Sequence, residues 1–212
     1  LEHRYSGLDP DFYRNVESLS HEVLKRMAFS RRYGECTIHH YVSRLNKETS
    51  EQFAALMMDL PDGTTAVSFR GTDDTLIGWK EDLMLSYTDI QSQLDAVDYV
   101  NRNCSLFRKY RFIGHSKGGN LALYASAMCS PKTKEKIVEI QSFDSPGFTQ
   151  QFVSSQKYIE TESKIVKFVP EESMIGMLLN DTDTYRIVKS EGEGIHQHDP
   201  FLWIVEANDF VT

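Results

Sequence analysis

The segment Gly114-His115-Ser116-Lys117-Gly118-Gly119 carries the pattern G-x-S-x-G, and the chemistry it offers is nucleophilic. A serine hydroxyl attacks a carbonyl at neutral pH only when a base takes its proton and an acidic group orients that base. The pattern alone recurs by chance in Gly-rich surface turns, so its setting decides. Residues 110–113 read as a short buried strand and 121–128 as the start of an amphipathic helix. A serine on such a strand-to-helix bend has its hydroxyl raised above the sheet edge, over the N–H groups of the helix N-terminus.

In hydrolases built on this bend the chain order is Ser, then Asp or Glu, then His. Downstream of Ser116 the histidines are His196 and His198, both in Gly194-Ile195-His196-Gln197-His198-Asp199-Pro200. His198 is preferred as the base, because Asp199-Pro200 stiffens the loop and Phe201-Leu202-Trp203 can anchor it; His196 is the alternative. Asp144 is favoured as the acid, since it ends the strand after the nucleophile helix. Glu171 and Glu172, beyond the next strand, are its rivals, and Asp144 has the further reading of a cap on the turn Ser145-Pro146-Gly147. A second strand end, Arg70-Gly71-Thr72, supplies the glycine and hydroxyl residue that an oxyanion loop needs. The expected oxyanion donors are therefore the backbone N–H groups of Thr72 and Lys117. The Lys117 side chain reads as an exposed stem, a partner for an acidic residue, or a contact for an anionic substrate.

These residues need a scaffold that brings strand ends to one edge. Phe12, Val16, Leu19, Val23, Leu24 and Met27 recur at helical spacing and predict a helix over 11–29. Strands are predicted at 36–45, 51–60 and 64–69, the last two joined by Pro61-Asp62-Gly63. A short helix is expected from Trp79 to Leu85, and a longer one over 89–102 with Ile90, Leu94, Val97 and Val100 on one face. Then follow a strand at 137–143, a helix at 148–159, a strand at 164–169 ended by Pro170, a loop or short helix at 171–179, a strand at 185–188 and a loop at 195–200. Strand–helix alternation in the second half implies a mainly parallel sheet flanked by helices, with an antiparallel hairpin at the N-terminal side. The expectation is one α/β domain over residues 1–212. Met174, Ile175, Met177, Leu178 and Leu179 read as core or as the lining of an acyl pocket.

Composition narrows the partners. The chain has 212 residues, 40% of them hydrophobic, and no apolar run approaches the ~20 residues of a membrane span. A net charge of −8 argues against nucleic acid or an anionic membrane as an obligate partner without excluding a local basic patch. Lys25-Arg26 with Arg31-Arg32 is read as a solvated helix end. Three widely spaced cysteines point to a reducing, cytoplasmic compartment rather than a disulfide framework. The His39-His40 pair lacks further ligands at metal spacing, so neither metal nor cofactor is expected. The first residue is Leu1, and the native N-terminus is expected to be missing.

The run Phe69-Arg70-Gly71-Thr72, with Trp79 and Asp82, resembles the oxyanion-loop region of class 3 lipases, and the segment around Ser116 resembles their elbow with Lys117 in place of the usual leucine. The stretches FRGTDDTLIGWKEDL, GHSKGGNLALYA, FDSPGF and QHDPFLW are closer still to a lipase-like bacterial subgroup of α/β-hydrolases known as a domain of unknown function. This resemblance spans about residues 30–206. It implies an α/β-hydrolase fold, esterase or lipase-type activity, and roles for Ser116 and His198. The Asp-x-Val-Pro pattern of class 3 lipases is not present at Phe168-Val169-Pro170-Glu171-Glu172-Ser173; an acid on the earlier strand, as in pancreatic-type lipases, matches Asp144. The sequence thus leads to a serine hydrolase acting on small-molecule or lipid esters. The alternatives are an acyltransferase using the same serine and a non-catalytic binding module of the same fold.

Overall fold

Alternating side chains and a strong turn build the first layer. The computed structural model describes residues 10–46, 51–71, 90–181, 184–207 and 209–212. Helix α1 (Pro10–Ala28) leads into strands β1 (Ile38–Asn46), β2 (Glu51–Asp59) and β3 (Thr65–Phe69). At the predicted turn, Asp62 Oδ1 accepts from the Thr64 N–H at 2.9 Å and from its hydroxyl at 2.6 Å. The Leu60 N–H then meets the Thr64 carbonyl at 2.8 Å and fixes the β2–β3 register.

The rest of the chain alternates. It runs through α2 (Gln91–Asn103), β4 (Tyr110–His115), α3 (Lys117–Met128), α4 (Pro131–Lys134), β5 (Ile137–Phe143), α5 (Gln150–Val153), α6 (Gln156–Glu162), β6 (Ile165–Pro170) and β7 (Tyr185–Val188). Among the described residues one seven-stranded sheet has the order β1 to β7, antiparallel as far as β3 and parallel from β3 to β7. Short 3₁₀ turns at Gly194–His198 and Pro200–Leu202 and a small hairpin, β8 (Val205–Glu206) with β9 (Asp209–Phe210), follow. A mainly parallel sheet with an antiparallel side, flanked by helices and with a strand–bend–helix at Ser116, is the α/β-hydrolase fold.

Several elements differ from their sequence pattern for physical reasons. Helix α3 is not amphipathic: every residue from Lys117 to Ala127 is buried, between the sheet and the helices over it. Its close approach needs Gly118, where an added Cβ would stand 2.2 Å from the Phe69 carbonyl oxygen. Helix α2 buries Ser92, Gln93, Ala96, Tyr99 and Val100, whereas Leu94 stays 49% exposed. Polar Gln93 wins the inner position because its amide bonds Asn120 Oδ1 at 2.8 Å and accepts from the Ile90 N–H at 3.0 Å. The predicted helix over 148–159 divides into α5 and α6, since the Thr149 and Ser155 hydroxyls each cap a new helix start. Residues 171–179 form turns with no helix, and 195–200 is largely 3₁₀ turn. The helix expected from Trp79 to Leu85 lies outside the described residues. Among those described, no helix is long and apolar enough to cross a membrane.

A main core of aromatic and aliphatic side chains, among them Phe53, Phe69, Phe112, Leu121 and Ile140, fills the space between the sheet and α2, α3 and α6. A smaller cluster of Phe168, Val188 and Trp203, with Phe143 and Phe210 against it, lies under the C-terminal segment. That second cluster seats the loop carrying His198.

Candidate active site

Strand pairing brings two of the predicted side chains to one edge. His115 pairs with Phe143 across parallel β4 and β5, and Phe143 with Phe168 across β5 and β6. The Ser116 N–H donates to the Phe143 carbonyl at 2.9 Å, and the Asp144 N–H to the Phe168 carbonyl at 2.8 Å. Ser116 and Asp144 therefore leave neighbouring strands together, one strand spacing of about 5 Å apart. Both have positive φ, 56° and 44°. Ser116, with ψ −132°, sits in a sparsely populated region that costs on the order of 1–3 kcal/mol. Its carbonyl is held by the N–H groups of Gly119 at 2.9 Å and Asn120 at 3.3 Å, so the bend is built into the start of α3.

His198 meets Asp144. Its Nδ1 lies 2.6 Å from Asp144 Oδ2, and the Asp144 residue is 1% exposed. A buried carboxylate oxygen accepts here, so Nδ1 carries a proton and Nε2 is the ring nitrogen turned away from Asp144. The other carboxylate oxygen, Oδ1, accepts from the Ser173 hydroxyl and from the Gly176 N–H at 3.1 Å. Charge-assisted bonds of this kind leave the carboxylate one orientation. Gly176 is needed at that contact: a Cβ there would lie 2.4 Å from Asp144 Oδ1. Its own carbonyl accepts from buried Lys167 Nζ at 2.7 Å, and Lys167 also pairs with Asp181 at 2.6 Å. Asp181 in turn accepts from the Tyr158 hydroxyl at 2.7 Å.

The rival acids take another part. Glu172 accepts from the Gly194 N–H at 3.2 Å and from Gln197 Nε2 at 3.4 Å, while its own N–H donates to Gln197 Oε1 at 2.9 Å. It braces the histidine loop and leaves the imidazole to Asp144; Glu171 is exposed. Trp203 is the anchor: its ring is buried in the smaller cluster and its Nε1 donates to the Gln197 carbonyl at 2.7 Å. Asp199 caps the following turn through the Phe201 N–H at 2.9 Å. His196 is exposed on the same loop.

His115, the variable residue of the motif, enters the site unannounced. Its Nε2 lies 2.8 Å from the His198 carbonyl oxygen, an acceptor, so Nε2–H donates. The two imidazoles approach with centroids 4.5 Å apart, and the Trp203 ring meets His115 edge to face at 6.5 Å. Burial, then the neighbouring His198, lowers the His115 pKa to about 4, so the ring is neutral at pH 7. A histidine directly before an elbow serine was the available signal; only the fold shows that it faces the other histidine.

Of the expected oxyanion donors, Thr72 lies outside the described residues. Gly71 is placed over the bend: a Cβ on it would stand 2.9 Å from the His115 carbonyl and 3.5 Å from Ser116 Cβ. Lys117 opens α3, directly after Ser116, which places its backbone N–H in the first turn of the helix. Its side chain corrects the expectation of an exposed stem. Lys117 is 1% exposed, and Nζ donates to the Gln52 carbonyl of β2 at 3.0 Å. Buried Asn120, one turn on, donates to the carbonyls of Pro146 at 3.1 Å and Gly147 at 3.0 Å, tying the Asp144 turn to α3. Among the described residues the Ser116 hydroxyl makes no hydrogen bond, so the contact with His198 is open. Met174, Met177, Leu178 and Leu179 are exposed, not core, on the loop that clamps Asp144. The described residues hold no cluster of three or more metal-ligating side chains.

The described geometry can be set beside known proteins. Residues 27–212 match the Mbeg1-like family model, and the chain belongs to this family, a lipase-like subgroup of α/β-hydrolases. Among solved structures, one similar chain is a fungal lipase in an inhibitor complex, presented as a model for interfacial activation in lipases. It is 16% identical, with 66% of this chain and 60% of the lipase covered, at a TM-score of 0.48. M37 lipase is 12% identical over 76% of this chain and 63% of its own, at a TM-score of 0.49. This chain thus spans less than two thirds of either lipase. No curated protein sequence matches it.

Proposed function

We propose that this member of the Mbeg1-like family is a serine hydrolase of the lipase or esterase type that cleaves carboxylic esters through an acyl-enzyme on Ser116. In the first half-reaction Ser116 Oγ bonds to the ester carbonyl carbon while His198 Nε2 takes its proton. The imidazolium, stabilised by Asp144, then protonates the leaving alkoxide. In the second half-reaction water gives a proton to His198 and bonds to the acyl carbon; the bond to Ser116 Oγ then breaks, His198 returns the proton to that oxygen, and the carboxylic acid leaves. The backbone N–H groups of Lys117 and Thr72 are the proposed donors to the tetrahedral oxyanion; one such donor is worth about 2.7–4 kcal/mol in a comparable site. No metal or organic cofactor takes part in these steps. The reading treats residues 1–212 as one catalytic domain and places it in the cytoplasm, which the three free thiols support.

The observation that carries the reading is the 2.6 Å contact of His198 Nδ1 with a buried, doubly clamped Asp144, one strand from the strained Ser116. Exposed Met174, Met177 and Leu178 beside the clamp support an ester with an apolar acyl group. The test is a panel of nitrophenyl esters of increasing chain length. Hydrolysis is expected, with Asp144→Asn lowering kcat by up to about 10⁴-fold, as in the serine–histidine–aspartate template. The open Ser116–His198 contact favours a second reading, a non-catalytic binding module of the same fold. Folded protein without turnover on any ester selects it.

A further inference from the structure

The end of α1 carries features that the hydrolase site does not use. Leu24, Lys25, Arg26, Phe29, Arg31 and Arg32 are all exposed, and Phe29 is 85% exposed. The segment from Lys25 to Arg32 holds four cations and no acid, in a chain of net charge −8. Cations in a last helical turn complement the helix dipole, which accounts for Lys25 and Arg26. It accounts neither for Arg31 and Arg32, which lie past the helix, nor for a phenyl ring in water between the two pairs. The segment is locally ordered: the Phe29 N–H donates to the Lys25 carbonyl at 3.1 Å, the Ser30 hydroxyl to the Met27 carbonyl at 2.8 Å, and the Gly34 N–H to the Ser30 carbonyl at 2.9 Å. Arg26 shares its charge with Glu22 at 2.9 Å, and Glu35 is the next acid beyond the turn.

We propose that this helix end docks on an anionic lipid surface. The match is one of charge and polarity together. Guanidinium and ammonium groups meet lipid phosphates and carboxylates, while Phe29 and Leu24 enter the boundary between headgroups and acyl chains. A helix of 19 residues, about 28 Å long, lies in that plane without crossing it. A nucleic acid offers phosphates but no apolar layer for Leu24. The proposal stands apart from the hydrolase reading, because no residue of the proposed triad takes part.

The test is co-sedimentation of the full chain with vesicles of phosphatidylcholine alone and of phosphatidylcholine with phosphatidylserine. Binding to the anionic vesicles only, reversed by high salt, is expected, with Ser116→Ala binding like wild type. Each cation near such a surface contributes about fivefold in affinity, so neutralising Arg31 and Arg32 with glutamine lowers partitioning about 25-fold. Arg31→Lys with Arg32→Lys retains it, and Phe29→Ser weakens it while leaving the salt dependence. These side chains are exposed, so circular dichroism should show all variants folded. No vesicle binding, equal binding to neutral vesicles, or binding unchanged in the glutamine variant overturns the proposal. So does a dimer that Phe29→Ser dissociates, or an RNA oligonucleotide that binds as tightly and is lost in the same variant.

Discussion

Replacing His115 with glutamine should make the fold less sensitive to acid. In the folded protein burial and His198 hold the His115 imidazole neutral down to about pH 4, whereas the unfolded chain takes up the proton near its ordinary value of 6.5. A histidine whose folded pKa is depressed leaves stability undiminished above pH 6.5. Stability is then lost as pH falls from 6.5 towards 4, because the unfolded state binds the extra proton first. A gap of about 2.5 units corresponds to roughly 3 kcal/mol when fully expressed, of which about 2 kcal/mol falls between about pH 7 and pH 4.5. Partial access of solvent makes that an upper figure. Urea unfolding of wild type and His115→Gln at both pH values isolates this contribution, since groups common to the two proteins cancel. Wild type should lose about 2 kcal/mol more than the variant on acidification. At pH 7 the two should lie close together, because the glutamine amide can replace the donor to the His198 carbonyl. His115→Leu should lose activity by leaving the part-buried His198 carbonyl without its bond. Equal acid sensitivity of wild type and His115→Gln would refute the enclosed, neutral imidazole.

Gly176→Ala puts a methyl 2.4 Å from Asp144 Oδ1 and 2.9 Å from Val169 Cγ1; it should lower kcat about 100-fold on any turned-over ester and, by overpacking, destabilise by about 1–3 kcal/mol in denaturant titrations. Ser116→Gly removes the hydroxyl and the strained conformation together; it should abolish turnover yet raise unfolding free energy by about 1 kcal/mol in denaturant titrations. Asn120→Ala leaves the carbonyls of Pro146 and Gly147 and the Gln93 amide short of partners, and should destabilise by about 2–3 kcal/mol in the same assay. Lys167→Met takes the cation from the buried Asp181 pair and the donor from the Gly176 carbonyl, and should destabilise by about 3–5 kcal/mol in the same assay.

The bend at Ser116 and the strand end at Asp144 were legible because strand periodicity, glycine spacing and chain order each constrain them separately. The turn at Pro61-Asp62-Gly63 and the strand at Tyr185–Val188 were equally plain, since their chemistry is local. What escaped depends on distant partners. Lys117 reads as a surface residue until its ammonium finds the Gln52 carbonyl, 65 residues away. Leu94 reads as core until Gln93 takes the inward position by bonding Asn120. Ser173 and Gly176 carry no pattern of their own, yet they orient Asp144 from the loop where a class 3 lipase acid was sought. The break between α5 and α6 was available in principle: Thr149 and Ser155 each precede a helix start at capping spacing. Exposure of Met174, Met177 and Leu178 is beyond sequence pattern, because an apolar run looks the same on a loop rim as in a core.

Mass-spectrometric mapping of a fluorophosphonate adduct tests the central claim most directly. The account predicts one adduct on Ser116 in wild type, none in Ser116→Ala, and much slower labelling in His198→Ala. Folded wild-type protein that stays unlabelled, or that is labelled as fast without His198, would contradict it.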